Sequence, residues 1–275
     1  MSQIYSTGLR KVLWPCSLNA HNAPGGNMKF NVYIDGFNLY KGALQKRPDL
    51  KWLDLRRYCQ ARLTGNELDK AYFFTSRIKE KFEGDAAPRR QHTYLRALEN
   101  SGVEVVLGKF RRDINWQRLI SHQHLDCISP NLSDPLSHIQ TSFNKSFKEA
   151  LPDSIQAKVW KYGEKGTDVN LASYLLRDVF KSQLQGALVI TGDSDLATPL
   201  QIAHMQYVFV KTINPKSGRN AGRLSESSDS FEELQVNSLV KFQFPDSINL
   251  SSGKIIRRPM EWRKKEDPDE SGSSA

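Results

Sequence analysis

Two uninterrupted apolar runs, Ala71–Thr75 (AYFFT) and Ala187–Thr191 (ALVIT), constrain the fold of this chain more than any other feature. A strand with one face in water alternates polar and apolar residues, so a run that is apolar throughout needs cover on both faces. Helix-like stretches stand between such runs. Lys29–Ile34 (KFNVYI) reads as the first strand, followed by a polar turn and a helix through Leu39–Gln45. Leu55, Tyr58, Cys59 and Leu63 share one face of a helix over about Leu53–Leu63; Tyr94, Leu95 and Leu98 do so over Arg90–Asn100, with Gly102 as its C′ residue. Strands at Val103–Leu107, Lys158–Tyr162 and Tyr207–Thr212 and helices at Asp168–Lys181 and Asp195–His204 continue the alternation. Phe231–Phe242 has helical spacing behind a capping box at Ser230 and Glu233. Strands alternating with helices predict an α/β domain with a mostly parallel sheet.

The 275 residues, 39% of them hydrophobic, suffice for one large domain with a full core. Residues 1–27 read as a loose polar arm, 28–262 as the domain with an irregular insertion at about 113–156, and 263–275 as a disordered charged tail. No apolar run approaches the roughly 20 residues that cross a membrane, and the N-terminus lacks the continuous apolar stretch of a secretory signal. Cys16, Cys59 and Cys127 form no CxxC pair, which fits reduced thiols. The expectation is a cytoplasmic protein with no membrane partner. Its 39 Lys+Arg against 30 Asp+Glu, a net +9, favour polyanionic partners, although solubility alone explains the same excess. Charge does not decide; the placement of the carboxylates does.

Ligands of a parallel α/β sheet bind at the C-terminal edge of its strands. Asp35 follows NVYI, Asp193 and Asp195 follow ALVIT within TGDSD, and Asp168 opens the helix after KVWKYG. Three segments thus deliver four carboxylates to one rim. Each has a structural reading as well: turn residue, N-cap or helix-start acid. Asp168 further shares a helix face with Leu171, Ala172, Leu175 and Val179, which predicts a carboxylate aimed at the sheet. Crowded carboxylates hold protons or bind cations, and an oxygen-only site suits Mg²⁺ or Mn²⁺, which would activate a water for phosphodiester cleavage. Asn38, three residues after Asp35, is placed to bond a carboxylate, a metal-bound water or a phosphate; Thr191 and Ser194 add hydroxyls.

At VYIDGFNLYKGAL (32–44), EKGTDVNLASYLLRDVF (164–180) and VITGDSDLATPLQ (189–201) the chain resembles the NYN family of PIN-like nuclease domains, in its bacterial LabA-like branch. The resemblance implies a three-layer α/β/α fold with a mostly parallel central sheet, and metal-dependent cleavage of RNA. It places the catalytic and metal-binding acids at Asp35, Asp168, Asp193 and Asp195, and the polar companion at Asn38. One departure stands out: many members carry a further acid about six residues after the Asp168 position, where this chain has Tyr174. Asp178 lies about 15 Å along the helix from Asp168 and is left out of the ligand set.

Strand-end cations would hold the phosphates of an entering strand: Arg77 and Lys79 after AYFFT, Lys109 and Arg111 after VEVVLG, and Lys211 in the last strand. The expected function is therefore a Mg²⁺- or Mn²⁺-dependent endoribonuclease acting on single-stranded RNA. The alternatives are a non-catalytic nucleic-acid-binding module and a haloacid-dehalogenase-type phosphatase. The latter needs a second Asp two residues after the first, where Phe37 stands. His122, His124, Cys127 and His138 match no standard zinc spacing, and Gly163–Gly166 is too sparse for a nucleotide-binding loop, so no nucleotide cofactor is expected. The oligomeric state stays open.

Overall fold

The computed structural model describes residues 27–80, 82–118, 156–181, 184–216, 221–250 and 252–263. The arm before residue 27, the His122/His124/Cys127/His138 group, most of the insertion and the tail beyond 263 lie outside them. In chain order the strands are β1 (Lys29–Asp35), β2 (Glu67–Thr75), β3 (Val103–Leu107), β4 (Lys109–Arg118), β5 (Gln156–Lys165), β6 (Gly186–Ile190), β7 (Phe209–Asn214), β8 (Ser230–Glu233), β9 (Ser247–Asn249) and β10 (Ile255–Arg257). The α-helices are α1 (Gly36–Leu39, continued by a wider turn Tyr40–Leu44), α2 (Leu55–Arg62), α3 (Ala87–Asn100), α4 (Thr167–Lys181), α5 (Ala197–Met205) and α6 (Ala221–Glu226). Six strands form one sheet in the order β3-β2-β1-β6-β7-β8, all parallel. The chain starts in the middle, winds out to β3, then returns to fill the other half. β1 and β6 therefore meet at the switch point, where a crevice opens at the strands' C-terminal ends.

The alternation of side chains along β1 explains the three layers. Phe30, Val32 and Ile34 point to one face and pack with Phe73, Leu188, Ile190, Leu55, Tyr58, Tyr94 and Leu98, beneath α2 and α3. Tyr33 points to the other and packs with Tyr72, Phe74, Val189, Leu171, Leu175 and Leu200, beneath α4 and α5. Both faces of AYFFT and ALVIT are covered, as their composition required. The fold is the expected three-layer α/β/α arrangement. Gly102 ends α3 with φ +83°, a left-handed conformation that suits glycine. No helix among the described residues is long and apolar enough to cross a membrane.

Three expectations are corrected. The strand read at Lys158–Tyr162 does not join the parallel sheet; it belongs to β5, which among the described residues pairs with β4 in a separate antiparallel ribbon that takes in residues 113–118. Phe231 stands in β8, paired parallel to β7, and the segment turns helical only at Val236–Phe242, as 3₁₀. The helix expected from Asp195 opens as a 3₁₀ turn, Ser194–Leu196, before α5. In each case sequence periodicity over a few residues fits a short strand, a 3₁₀ turn and an α-helix equally, and tertiary pairing decides.

Candidate functional site

Period-two alternation on β1 puts Asn31, Tyr33 and Asp35 on the face covered by α4. About 13 Å separates Asn31 from Asp35 along a strand, and about 15 Å separates Asp178 from Asp168 along a helix. The helix runs against the strand with those spans matched. At one end, buried Asp178 accepts hydrogen bonds from Asn31 Nδ2 (3.1 Å) and Tyr33 Oη (2.9 Å) and pairs with Arg177 (2.8 Å). At the other end Asp168 faces Asp35 across the rim. The Asp178 network thus fixes the helix against the strand that carries the site.

Asp35 is 1% exposed. Its Oδ1 accepts the Asn38 backbone N–H (2.9 Å), its Oδ2 the Asn38 Nδ2 (2.6 Å) and the Thr191 hydroxyl (3.1 Å). Thr191 lies on the same face of β6 as Ala187 and Val189, by the alternation that places Asp35 on β1. Burial raises the Asp35 pKa above the ordinary carboxylate range, against the pull of these three donors. Asp35 is also the N-cap of α1, and Asp193 caps the Ser194–Leu196 turn by accepting the Asp195 N–H (3.0 Å). Asp35 and Asp193, read from sequence as turn residues, are thus N-caps, whereas Asp195, expected as an N-cap, lies inside the turn and the N-cap of α5 is Leu196. Gly36 is needed for the close approach: a Cβ there would meet the Phe73 ring at 2.6 Å and the Phe74 carbonyl oxygen at 2.8 Å.

Asp168 departs from expectation in one respect. It is exposed at the rim, not turned under the sheet, because Thr167 takes the buried place at the start of α4. Partial desolvation, with the charges of Asp35, Asp193, Glu164 and Asp195, pushes its carboxyl up to about 6. Sequence reasoning missed Glu164. It is half-buried, accepts from the Thr167 hydroxyl, and is raised by burial and by Asp35 against the hydrogen bonds of Thr167 and Ser76. The sequence pattern of Lys158–Tyr162 shows no strand beyond Tyr162, whereas β5 continues to Lys165 and brings Glu164 to the rim.

The expected cations divide. Arg77 and Lys79 are exposed just beyond the C-terminal end of β2, at the edge that bears the acids. Lys109 stands at the base of the β4–β5 ribbon and Arg111 farther along it. Lys211 does not serve the rim: its ammonium pairs with Glu232 and donates to the Arg62 carbonyl (2.9 Å), beside a pocket with Phe30, Thr64 and Phe209 at the opposite edge. Tyr174, where the resembled family has an acid, packs edge-on against Tyr72 and Phe74 with Arg177 over its ring at 4.1 Å. Among the described residues no group of three or more His, Cys, Asp or Glu is arranged to hold a metal ion. Three neighbouring carboxyls with raised proton affinity, Asp35 clasped by donors, Glu164, and Asp168 at about 6, can hold and pass protons.

No family model matches the chain. It is 27% identical over 250 residues, 83% of this chain and 69% of the other, to 6-hydroxy-3-succinoylpyridine 3-monooxygenase HspA of Pseudomonas putida (strain DSM 28022 / S16). A solved structure of a protein of unknown function, VPA0982 from Vibrio parahaemolyticus RIMD 2210633, is similar over 77% of this chain and 95% of that one, with TM-score 0.40 and 12% identity, too distant to bear on function. The likeness to HspA agrees with the expectation of an enzyme. It overturns the endoribonuclease reading, together with its nuclease and metal-binding descriptions and the binding-module and phosphatase alternatives, because a monooxygenase is an oxidoreductase.

Proposed function

We propose that the chain is an oxygen-inserting oxidoreductase, a monooxygenase of a small hydroxylated N-heteroaromatic ring, with Asp168 as its proton-transfer group. The observation that carries this reading is the likeness to HspA across 83% of the chain, joined to a carboxyl at the switch-point crevice that is pushed up to about 6. Ring hydroxylation puts one atom of O₂ into the product hydroxyl and the other into water. Two electrons come from a reduced nicotinamide or flavin, and two protons balance the water. A ring hydroxyl becomes a strong electron donor when it loses its proton, and a base near its own pKa at neutral pH suits that transfer. Asp168 takes the proton as carboxylate and returns it as acid. Asp35, held by Asn38 and Thr191, keeps negative charge near Asp168 and so keeps its proton affinity high.

The residues do not fit a resident dinucleotide. A pyrophosphate is anionic, and Asp193 and Asp195 in the turn after β6, with Asp168 at the start of α4, would repel it there, so the electron carrier binds and leaves as a co-substrate. The test is to supply 6-hydroxy-3-succinoylpyridine, O₂ and reduced nicotinamide, with and without free flavin, and to follow O₂ uptake and hydroxylated product in wild type and Asp168→Asn. Substrate-dependent O₂ uptake that falls in the variant supports the reading; no uptake with any reductant sinks it.

A further inference from the structure

β4 and β5 pair over ten positions, from Lys109–Lys165 at the rim to Arg118–Gln156 at the far end, and no third strand joins them among the described residues. A two-stranded ribbon is marginal in water unless something packs on it. Residues directly opposite each other in an antiparallel pair share a face, and the face alternates along each strand. One face therefore carries Lys109, Arg111, Asp113 and Lys165, all charged and exposed. The other carries Phe110, Ile114 and Trp116 on β4, with Glu164 opposite Phe110 and Lys158 opposite Trp116. On that second face Ile114 is 55% and Trp116 61% exposed, so its apolar surface is left to water by the single chain. The Lys158 ammonium lies 5.0 Å from the centre of the Trp116 ring. The outer end of the face is thus cationic, and Glu164 makes its inner end, at the acid rim, anionic.

We propose that this face is the interface of a homodimer, in which two ribbons stack about a two-fold axis perpendicular to their strands and each copy's Lys158 and Trp116 lie over the partner's Glu164 and Phe110. The occupant is a second copy because the face is complementary to itself. Lys158 and Glu164 stand about 20 Å apart along β5, each three residues from Lys161, and Trp116 and Phe110 are each three residues from its partner Asp113. A two-fold at the Asp113–Lys161 pair therefore brings cation onto acid twice, as an isologous contact requires. It also brings the two Ile114 side chains together beside the axis. Ribbons stacked in the parallel sense would set cationic end on cationic end, which is unfavourable. The charged faces of Lys109, Arg111, Asp113 and Lys165 stay in water. Glu164 is half-buried beside Thr167, which leaves part of it for the partner's ammonium, so each acid rim is completed by the other copy.

The experiment is molar mass by light scattering across about 1 to 100 µM, with circular dichroism of each protein, on the full chain as wild type, Lys158→Glu, Trp116→Lys and the double variant Lys158→Glu with Glu164→Lys. Wild type is expected to be a dimer that dissociates in this range. Lys158→Glu sets acid against the partner's Glu164, and Trp116→Lys removes the apolar cover; each is expected to weaken the dimer at least about tenfold. The double variant exchanges the two charges and is expected to recover most of the loss. A wild type that stays monomeric throughout overturns the proposal and leaves the face to another segment of the same chain. A dimer that neither Lys158→Glu nor Trp116→Lys weakens overturns it as well, because the copies then meet elsewhere. A folded double variant no tighter than Lys158→Glu overturns the charge pairing. Should the double variant not fold, Lys158→Glu and Trp116→Lys, both at exposed positions, decide.

Discussion

Asn38 holds Asp35 at two points, its backbone N–H on one carboxylate oxygen at 2.9 Å and its side-chain amide on the other at 2.6 Å. The first bond caps a helix and the second fixes the rotamer of a buried acid, so one residue joins local folding to site chemistry. Asn38→Ala loses the second bond while keeping the first. It is expected to lower turnover about tenfold and stability by about 1 kcal/mol, read from steady-state rates and urea midpoints.

Asp168 gives the pH dependence a definite sign. Its folded pKa of about 6 lies above the ordinary value of 3.8, so the folded state holds the proton more tightly than the unfolded chain. Its contribution to stability is fully present below pH 3.8 and lost as pH rises through about 6. Asp168→Asn is therefore expected to melt higher than wild type at pH 7.5, with the gap closing by pH 4. A gap that is constant with pH would show that the crowding of charge is not felt.

The same group sets the activity profile. Rate is expected to rise with pH through an apparent value of about 6 as Asp168 becomes a base. Asp168→Asn is expected to lose this limb along with about a hundredfold or more in rate.

Asp178 supports the site from a distance. Removing it strands the Tyr33 hydroxyl and the Asn31 amide in the core beside Arg177. Asp178→Ala is expected to cost about 3 kcal/mol, measured by denaturant unfolding. Lys211→Ala, at the opposite edge, is expected to leave activity unchanged.

Much of this was legible in the sequence, and the reasons are specific. Continuous apolar runs fixed two central strands, and Asp35 and Asp193 follow strands whose direction a parallel sheet imposes, whereas Asp168 reaches the rim at the start of α4 although β5 before it lies outside that sheet. Glu164 was not seen because strand ends are poorly marked. Trp160 and Tyr162 gave a strand no clear stop. Lys211 was misplaced because a strand residue's side reveals nothing about which partner it meets; Glu232 on β8 captured it. The reaction type was the least legible, since clustered carboxylates serve hydrolysis and proton transfer alike.

The most direct measurement is isotopic: turnover of 6-hydroxy-3-succinoylpyridine under ¹⁸O₂ with a reduced nicotinamide, analysed by mass spectrometry. The account predicts one ¹⁸O atom in the hydroxylated product, at a rate that falls sharply in Asp168→Asn. Product that carries oxygen only from water, or no product while the protein is folded and the reductant fresh, would contradict it.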